Sequence, residues 1–215
     1  MSVPLGAGQI PSRPRARSAP AEIIESWLPA AFAAAAHKPE GRSPRLRLSL
    51  SGLEGGEWDM QVEDGELAVA RRVRNAHLRG DDPDVWIRQS AADFLAVIFP
   101  DADLFRFLPT SADIVAVISP ESQEIELLHK LDGRIRFELE GRRRRRWAVD
   151  AAFGHAGMLA GRPRTVVLID SGTCEKLAAR ALSPLQALLA GRLRVEGDKT
   201  FALQVLMLVV TRIAG

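Results

Sequence analysis

One pattern of residues occurs twice in this chain, at a fixed distance. Residues 45–65, RLRLSLSGLEGGEWDMQVEDG, align without a gap with residues 134–154, RIRFELEGRRRRRWAVDAAFG. Six positions are identical at this offset of 89 residues, among them Trp58 and Trp147. Apolar and polar residues alternate in both copies, which is typical of strands that have one solvent-facing side. The repetition therefore predicts two small β-rich units rather than one large domain.

The composition fits a soluble globular protein. The chain has 215 residues, of which 47% are hydrophobic and 26% charged, with a formal net charge of +2. Its single cysteine, Cys174, excludes an internal disulfide framework and a cysteine-based zinc site, and it fits a reducing compartment, so we expect a cytoplasmic protein. The most apolar stretch, Phe201 to Val210, is far shorter than the ~20 residues that cross a bilayer. Residues 1–18 lack the apolar run of a signal peptide and are predicted to be a disordered leader.

Local signals divide the rest of the chain into helices and strands. Helical spacing of apolar residues predicts a first helix over Ala19 to Ala36, and Ser90 is placed as the N-cap of a helix that follows the repeat's strands. The other predicted helices lie at 101–108, at 122–131, after a Ser171 cap as far as Leu182, from Pro184, and from Lys199. The predicted strands cover 45–51, 57–62, 66–73, 85–89, 113–119, 134–140, 147–152, 155–159, 165–170 and 192–196. In the first copy the strands are expected to form an antiparallel meander.

The segment Leu182 to Leu206, LSPLQALLAGRLRVEGDKTFALQVL, carries the most specific signal. It has a helix that begins with proline, a glycine, a strand of arginine and aliphatic residues, a Gly-Asp turn and an apolar helix. In this order it resembles the C-terminal signature of sterol carrier protein 2 (SCP2)-like domains. The stretch PDVWIRQSAADFLAVI, Pro83 to Ile98, resembles an earlier part of such a domain. In the first copy, Ser111-Ala112-Asp113 replaces the Gly-Asp turn, so its lipid site is in doubt.

The resemblance implies an α+β fold of two SCP2-like units, each a mainly antiparallel β-sheet covered by helices. The predicted boundaries are residues 19–120 for a degenerate first unit and 121–215 for the second. In this family a sheet and its helices enclose an apolar tunnel that takes sterols, fatty acyl chains or other lipids. By matching position, the apolar cavity of the second unit would be lined by Leu185, Leu188, Leu189, Leu193, Val195, Phe201, Val205 and Leu208. The same residues can also simply pack as core.

A run of five arginines lies in the second copy where the first has a short turn. Arg142, Arg143, Arg144, Arg145 and Arg146 are expected at an exposed hairpin tip. Clustered guanidinium groups form charge-assisted hydrogen bonds to anionic oxygens, so the run predicts contact with an anionic surface such as a membrane, unless it is only a solvated loop. Nucleic acid is disfavoured, because no stacking aromatic residue interrupts the arginines.

The remaining polar residues show no catalytic pattern. His37, His77, His129 and His155 have no metal-ligand spacing. Cys174 is interpreted as a buried or incidental thiol, and Trp58 and Trp147 as core anchors. The carboxylates Asp59, Asp150 and Asp170 occupy strand positions where a buried one could act as a base, but none has a paired acid. No glycine-rich phosphate loop is present, so no cofactor and no metal are predicted.

Three hypotheses follow. The first is a protein that binds or transfers a hydrophobic ligand, such as a lipid, sterol, fatty acyl or isoprenoid-like molecule. The second is a non-catalytic accessory or scaffold protein of a biosynthetic pathway, with no open cavity and with partner proteins. The third is an enzyme that acts on a hydrophobic substrate, although the sequence favours a role without catalysis.

Overall fold

A single mixed sheet of eight strands organises the chain. The computed structural model describes residues 11, 12, 14, 15, 18–34, 44–72, 82–99, 126–128, 130–141, 145–154 and 165–213. The strands are β1 Leu46–Ser51, β2 Gly56–Glu63, β3 Glu66–Arg71, β4 Val85–Ser90, β5 Gly133–Glu140, β6 Arg146–Phe153, β7 Thr165–Asp170 and β8 Leu193–Glu196. They lie side by side in the order β3-β2-β1-β4-β6-β5-β7-β8.

The described helices pack on one face of this sheet. The first helical stretch, called α1 here, is α-helical over Pro20–Glu22, π-helical over Ile23–Trp27 and α-helical again over Leu28–Ala33. The others are α2 Ala91–Ile98, α3 Ser171–Ala178, α4 Pro184–Leu189 and α5 Lys199–Ile213. Residues 126–128 and 130 are also helical. A mainly antiparallel sheet with helices confirms the α+β fold predicted from the sequence.

The predicted antiparallel meander is wrong in one respect. Strands β1, β2 and β3 are antiparallel neighbours, but β4 pairs with β1 in parallel, with Leu46 opposite Val85. In the second half, β7 pairs with β5 in parallel in the same way, with Ile135 opposite Thr165. A parallel pair needs a crossover connection, which alternation along each strand does not reveal.

The two halves join through β4 and β6, which are antiparallel with Val85 opposite Phe153. The strands of the two predicted units thus belong to one continuous sheet. β6 lies beside β4 in the way that β8 lies beside β7, antiparallel to it. Both long edges of β4 are therefore occupied, one by β1 and the other by β6.

Strand pairing shifts the alignment of the repeat in its second strand. Trp58 lies opposite Leu48, whereas Trp147 lies opposite Leu139 and not opposite Phe137, which is the position that the gap-free alignment gives. The hairpin register thus differs by two residues, which keeps the same side chains on the same face of the sheet. The residues that become equivalent are Asp59 and Asp150: Asp59 lies directly opposite Arg47, and Asp150 directly opposite Arg136.

Two large apolar clusters lie between the sheet and the helices. In the first, α1 covers β1 and β2, and Trp58, Phe32 and Ile24 are fully buried. In the second, α5 covers β5, β7 and β8. Leu46 and Ile87 pack against both clusters, so the apolar layer is continuous across the β4–β6 pairing. The Nε1 atom of Trp58 donates a hydrogen bond to Glu25 at 2.7 Å, which agrees with a core anchor.

Trp147 is only partly buried and reaches the other half of the sheet. Its Nε1 atom donates to the backbone oxygen of Asp93 in α2 at 2.9 Å. Its ring packs with Ala96 and Leu139 in a third, small cluster. This tryptophan therefore ties the helix of the first half to the hairpin of the second.

The opposite face of the sheet carries a network of paired charges. Arg47, itself almost buried, donates from Nε to Asp59 Oδ1 at 2.7 Å, and Arg72 donates to Asp59 Oδ2 at 2.8 Å. Burial raises the pKa of Asp59, but the hydrogen bonds and charges of Arg47 and Arg72 outweigh burial and hold the pKa below its ordinary value. In the second half, Arg136 bonds Asp150 at 3.0 Å and Glu138 at 2.7 Å.

Most predicted elements in the described residues agree with the structure to within a few positions. One cap is corrected: the side chain of Asp170, not of Ser171, caps α3, because its carboxylate accepts hydrogen bonds from the backbone N–H and the hydroxyl of Thr173. That helix also ends at Ala178 rather than Leu182. The elements predicted at 101–108, 113–119 and 155–159 lie outside the described residues. The boundaries 1–18, 19–120 and 121–215 stay predictions; Ser12 lies within the predicted leader, and its carbonyl accepts a hydrogen bond from Trp27.

We expect Asp59→Asn to lower the free energy of unfolding by about 2 kcal/mol, because it removes the carboxylate that accepts the 2.7 Å hydrogen bond of the nearly buried Arg47, while Glu57 remains at 3.4 Å. The matched variant Asp150→Asn should cost less, since the Arg136 side chain is 36% exposed. Urea unfolding at pH 7 measures both.

The pH dependence of stability should reflect the Asp59–Arg47 pair. The pKa of Asp59 is lowered in the folded state, so its stabilising effect is complete above the unfolded-state pKa of about 3.9 and disappears as the pH falls through the folded value. The difference between wild type and Asp59→Asn should therefore shrink below about pH 4. Equal losses of unfolding free energy in Asp59→Asn and Asp150→Asn at pH 7 would contradict the larger stabilising role assigned to Asp59.

Candidate functional site

The C-terminal part of the chain is shaped by strong local signals. Ser183 and Gln186 form a reciprocal capping box at the start of α4. Gly191 follows that helix with φ of +66°, a conformation that favours glycine. Asp198 then accepts a hydrogen bond from the backbone N–H of Phe201 at 3.0 Å and so begins α5. These signals agree with the helix, glycine, strand, turn and helix order read from the sequence.

Helix α5 seats one apolar side against the sheet. Phe201 packs edge-on against Phe153 with ring centroids 6.1 Å apart. Gly133, at the start of β5, lies beneath the same ring: a Cβ atom added there would come within 2.9 Å of Phe201 Cζ. The buried residues of α5 are Phe201, Ala202, Val205 and Leu206.

The eight residues predicted to line the cavity fall into three groups. Leu193, Phe201 and Val205 are buried in the second cluster, and Leu188, Val195 and Leu208 are partly buried against it. Leu185 and Leu189 are 52% and 79% exposed. Six of the eight thus meet in one apolar layer under α4 and α5, and two point to solvent. Their role as a lining stays a prediction.

The outer side of α5 is less polar than an ordinary surface helix. Met207 is 53% exposed and Val209 is 39% exposed. Isolated exposed apolar residues are normal, but here two lie on a helix whose other side is already buried. Helix α5 can therefore contact apolar atoms on more than one side.

Gln89 is a polar residue that the sequence analysis missed. It lies on β4 with its side chain on the helix-covered face, and its Oε1 atom is buried without a hydrogen-bond partner in the structure as described. A buried acceptor without a partner is costly, so it is available to a donor such as a ligand hydroxyl or amide. The signal in the sequence was a glutamine at a position where the alternation requires an apolar residue.

The arginine run follows β5. Glu140 and Arg146 are the last pair of the β5–β6 hairpin, so Arg146 begins β6 and Arg145 directly precedes that strand. Arg145 and Arg146 are exposed, while Arg142, Arg143 and Arg144 lie outside the described residues. Contact with an anionic surface stays a prediction.

The three aspartates considered as bases have structural roles. Asp59 and Asp150 are held by arginines, as described above. Asp170 caps α3, and although burial raises its pKa, the hydrogen bonds from Thr173 outweigh burial and lower it. A carboxylate that stays ionised and engaged in this way is a poor general base.

Cys174 packs in the small cluster that contains Trp147. Burial of the thiol, together with the nearby charge of Asp170, raises its pKa to about 11. The thiolate is the nucleophilic form, so this cysteine is not activated.

The part of the chain that the structure describes contains neither a metal-binding group nor a helix that could span a membrane. Within it, no group of three His, Cys, Asp or Glu side chains is placed to hold a metal ion. All four histidines lie outside the described residues. Nor does any described helix combine the length and apolar character that crossing a bilayer requires.

The C-terminal part of the chain matches the model of a known protein family. Residues 115–209 match the model of the SCP-2 sterol transfer family. A search of curated proteins found no match.

Several solved structures are similar over part of the chain. Sterol Carrier Protein 2 from Yarrowia lipolytica, in its apo form, is 16% identical, with a TM-score of 0.33, over 44% of this chain and 79% of that protein. Sterol carrier protein domain 2 of Helicoverpa armigera is 17% identical, with a TM-score of 0.32, over 44% and 77%. A UbiJ-SCP2 ubiquinone synthesis protein is 16% identical, with a TM-score of 0.28, over 47% and 90%.

We expect Gly133→Ala to destabilise the protein by about 1–3 kcal/mol, because the new methyl group meets the Phe201 ring. Phe201→Leu should relieve this clash, so the double variant should lose less stability than the two single losses added together. Urea unfolding of the four proteins measures the coupling. Additive losses would show that the ring and the glycine do not contact each other.

Cys174 should react slowly in the native protein. At pH 8, about a thousandth of a thiol with this pKa is ionised, so iodoacetamide labelling should be roughly a hundredfold slower than in urea. Mass spectrometry follows the adduct, and Cys174→Ser controls for other sites. Equal rates in the native and unfolded protein would contradict the buried, un-ionised thiol.

Proposed function

We propose that the protein binds or transfers a hydrophobic ligand in an apolar cavity beneath α4 and α5, since residues 115–209 match the model of the SCP-2 sterol transfer family. Binding or transfer of lipids in general is what this match supports. The finer proposal is a lipid, sterol, fatty acyl or isoprenoid-like molecule held by the eight predicted lining residues. The observation that carries it is α5, which contacts the sheet through Phe201 and Val205 and still presents Met207 to solvent.

An apolar layer of this kind can bind a ligand without a charged residue that recognises it. Apolar area removed from water stabilises a complex by ~25 cal/mol per Å2, so a long alkyl ligand binds chiefly through its length. Phe201 and Val205 already contact the core, so a ligand would have to replace some of their contacts as α5 moves. Few protein groups would form hydrogen bonds with a polar part of the ligand. The side-chain oxygen of Gln89, on the same face of the sheet, is one such acceptor.

We also propose that the five arginines Arg142 to Arg146 let the protein approach an anionic membrane surface, from which an apolar ligand is taken or to which it is delivered. Each basic residue near an anionic membrane adds about 1 kcal/mol of attraction. A reducing, cytoplasmic location is proposed with it, and the single cysteine supports this.

Leu208→Glu should abolish ligand binding while Met207→Glu should not. Leu208 is packed partly against the second cluster, and Met207, the preceding residue of the same helix, is 53% exposed. The two variants introduce the same charge at a packed and at an exposed position of α5, so only the first should exclude an apolar ligand. Native mass spectrometry after organic extraction, and again after addition of fatty acids, sterols and quinones, measures the bound adduct.

Circular dichroism shows whether each variant is folded. A folded Leu208→Glu protein that keeps the adduct with unchanged affinity would overturn the proposed cavity. A wild-type protein that binds none of the three ligand classes would instead favour the accessory or scaffold role.

A further inference from the structure

A groove opens at one end of β5, β7 and β8, next to the β5–β6 turn. Its cavity volume is about 350 Å3, within the range of small-molecule sites. Four parts of the chain meet there: the ends of β5 and of β7, the start of β6, and the stretch that runs from the turn after α4 into β8. The groove is distinct from the apolar layer beneath α5.

Three arginines line this groove. Arg146 begins β6, Arg192 lies in the turn before β8, and Arg194 lies on β8 opposite Leu168. All three side chains are exposed, and none forms an ion pair or side-chain hydrogen bond with any residue of the described ranges. This sets them apart from Arg47 and Arg136, which are held by carboxylates. Guanidinium groups without a carboxylate partner are free to bind an added anion.

The carboxylates of the groove are mostly engaged elsewhere. Asp170 accepts hydrogen bonds from Thr173, and Glu138 accepts one from Arg136 at 2.7 Å. Glu140 lies opposite both Arg146 and Asp170 in the sheet and has no partner among the described residues. Glu138 is balanced by Arg136, whereas the neutral donors of Thr173 leave Asp170 its charge, so the lining has three arginines against the two carboxylates Asp170 and Glu140.

An apolar floor lies under these charges. Leu139 is buried, and Leu168 and Ile169 line the same groove partly buried. A charged rim over an apolar floor suits a molecule with an anionic end and an adjoining apolar part. Arginine binds phosphate through paired N–H groups, and three guanidiniums, one at the start of β6 and two at β8, offer donors for the three oxygens of one phosphate monoester. A carboxylate offers only two oxygens.

From this geometry we propose that the groove formed by Arg146, Arg192 and Arg194 is a binding site for the phosphate group of a phosphate ester. The ester is either the head group of a phospholipid or a soluble compound. The site goes beyond the proposed function, because it needs no ligand beneath α5. It shares only Arg146 with the proposed membrane contact.

Isothermal titration calorimetry of the full chain with glycerol 3-phosphate tests the soluble source. Sedimentation with phosphatidylcholine vesicles, with and without phosphatidic acid, tests the lipid source. The wild type should bind at least one of these phosphates. Arg192→Gln/Arg194→Gln should weaken that binding by about tenfold or more.

Two further variants control for overall charge. Glu140→Gln should tighten binding a few-fold, since it removes one of the two negative charges of the groove that no arginine of the described residues pairs with. Arg180→Gln changes an exposed arginine that is not part of the groove and should have no effect. Arg142→Gln/Arg143→Gln should reduce vesicle binding but leave the affinity for glycerol 3-phosphate unchanged.

No binding of either phosphate by the wild type would overturn the proposal. So would equal losses in Arg180→Gln and in the groove variant, because the effect would then be one of net charge. Binding of phosphatidic acid vesicles alone supports a head-group site, and binding of both probes supports a site for phosphate esters in general. Leu208→Glu should keep phosphate binding, so failure of the apolar cavity and failure of this groove are separate results.

Discussion

The antiparallel pairing of β4 with β6 is the interaction on which the rest of the structure depends. A buried strand must satisfy its backbone N–H and C=O groups on both sides, and β4 does so with β1 on one side and β6 on the other. Because this pairing makes one sheet, the helices of both halves cover a single surface. Leu46 and Ile87 then contact both apolar clusters, and Trp147 of the second half bonds to α2 of the first. The halves are therefore coupled through backbone, core and side chain together.

The helices and strands were largely readable from the sequence because their signals are local. Ser90 and Ser183 cap helices, Gly191 follows one with positive φ, and the alternation in both copies marks the strands. The partners of each strand were not readable. Identical tryptophans suggested a gap-free hairpin, yet the pairing makes Asp59 and Asp150 the equivalent residues. Alternation is preserved by a shift of two residues, so the hydrophobic pattern could not fix the register.

The candidate sites, too, could be predicted from the sequence only in part. The family resemblance placed Phe201 and Val205 among the apolar residues of the second unit, and the structure buries both. The exposure of Leu189 was not predicted, because α4 has only six residues and covers the sheet with one side, through Pro184 and Ala187. The groove was missed for another reason: Arg146 and Arg192 are far apart in sequence and meet only through the order of β5, β7 and β8. Gln89 was also missed, since a lone glutamine in a strand shows nothing until its buried oxygen is seen without a donor.

The way the halves join has a consequence for assembly. β6 adds to β4 in the first half as β8 adds to β7 in the second, so unlike edges of two related units meet, head to tail. Repeating a contact between unlike edges builds a ring where the rotation closes and an open series of units where it does not. Beside β7 that position is taken by β8, a strand of only four residues with exposed Arg194 and Glu196. Short, charged strands disfavour further pairing. β8 therefore disfavours the pairing of a further unit at this edge of the sheet.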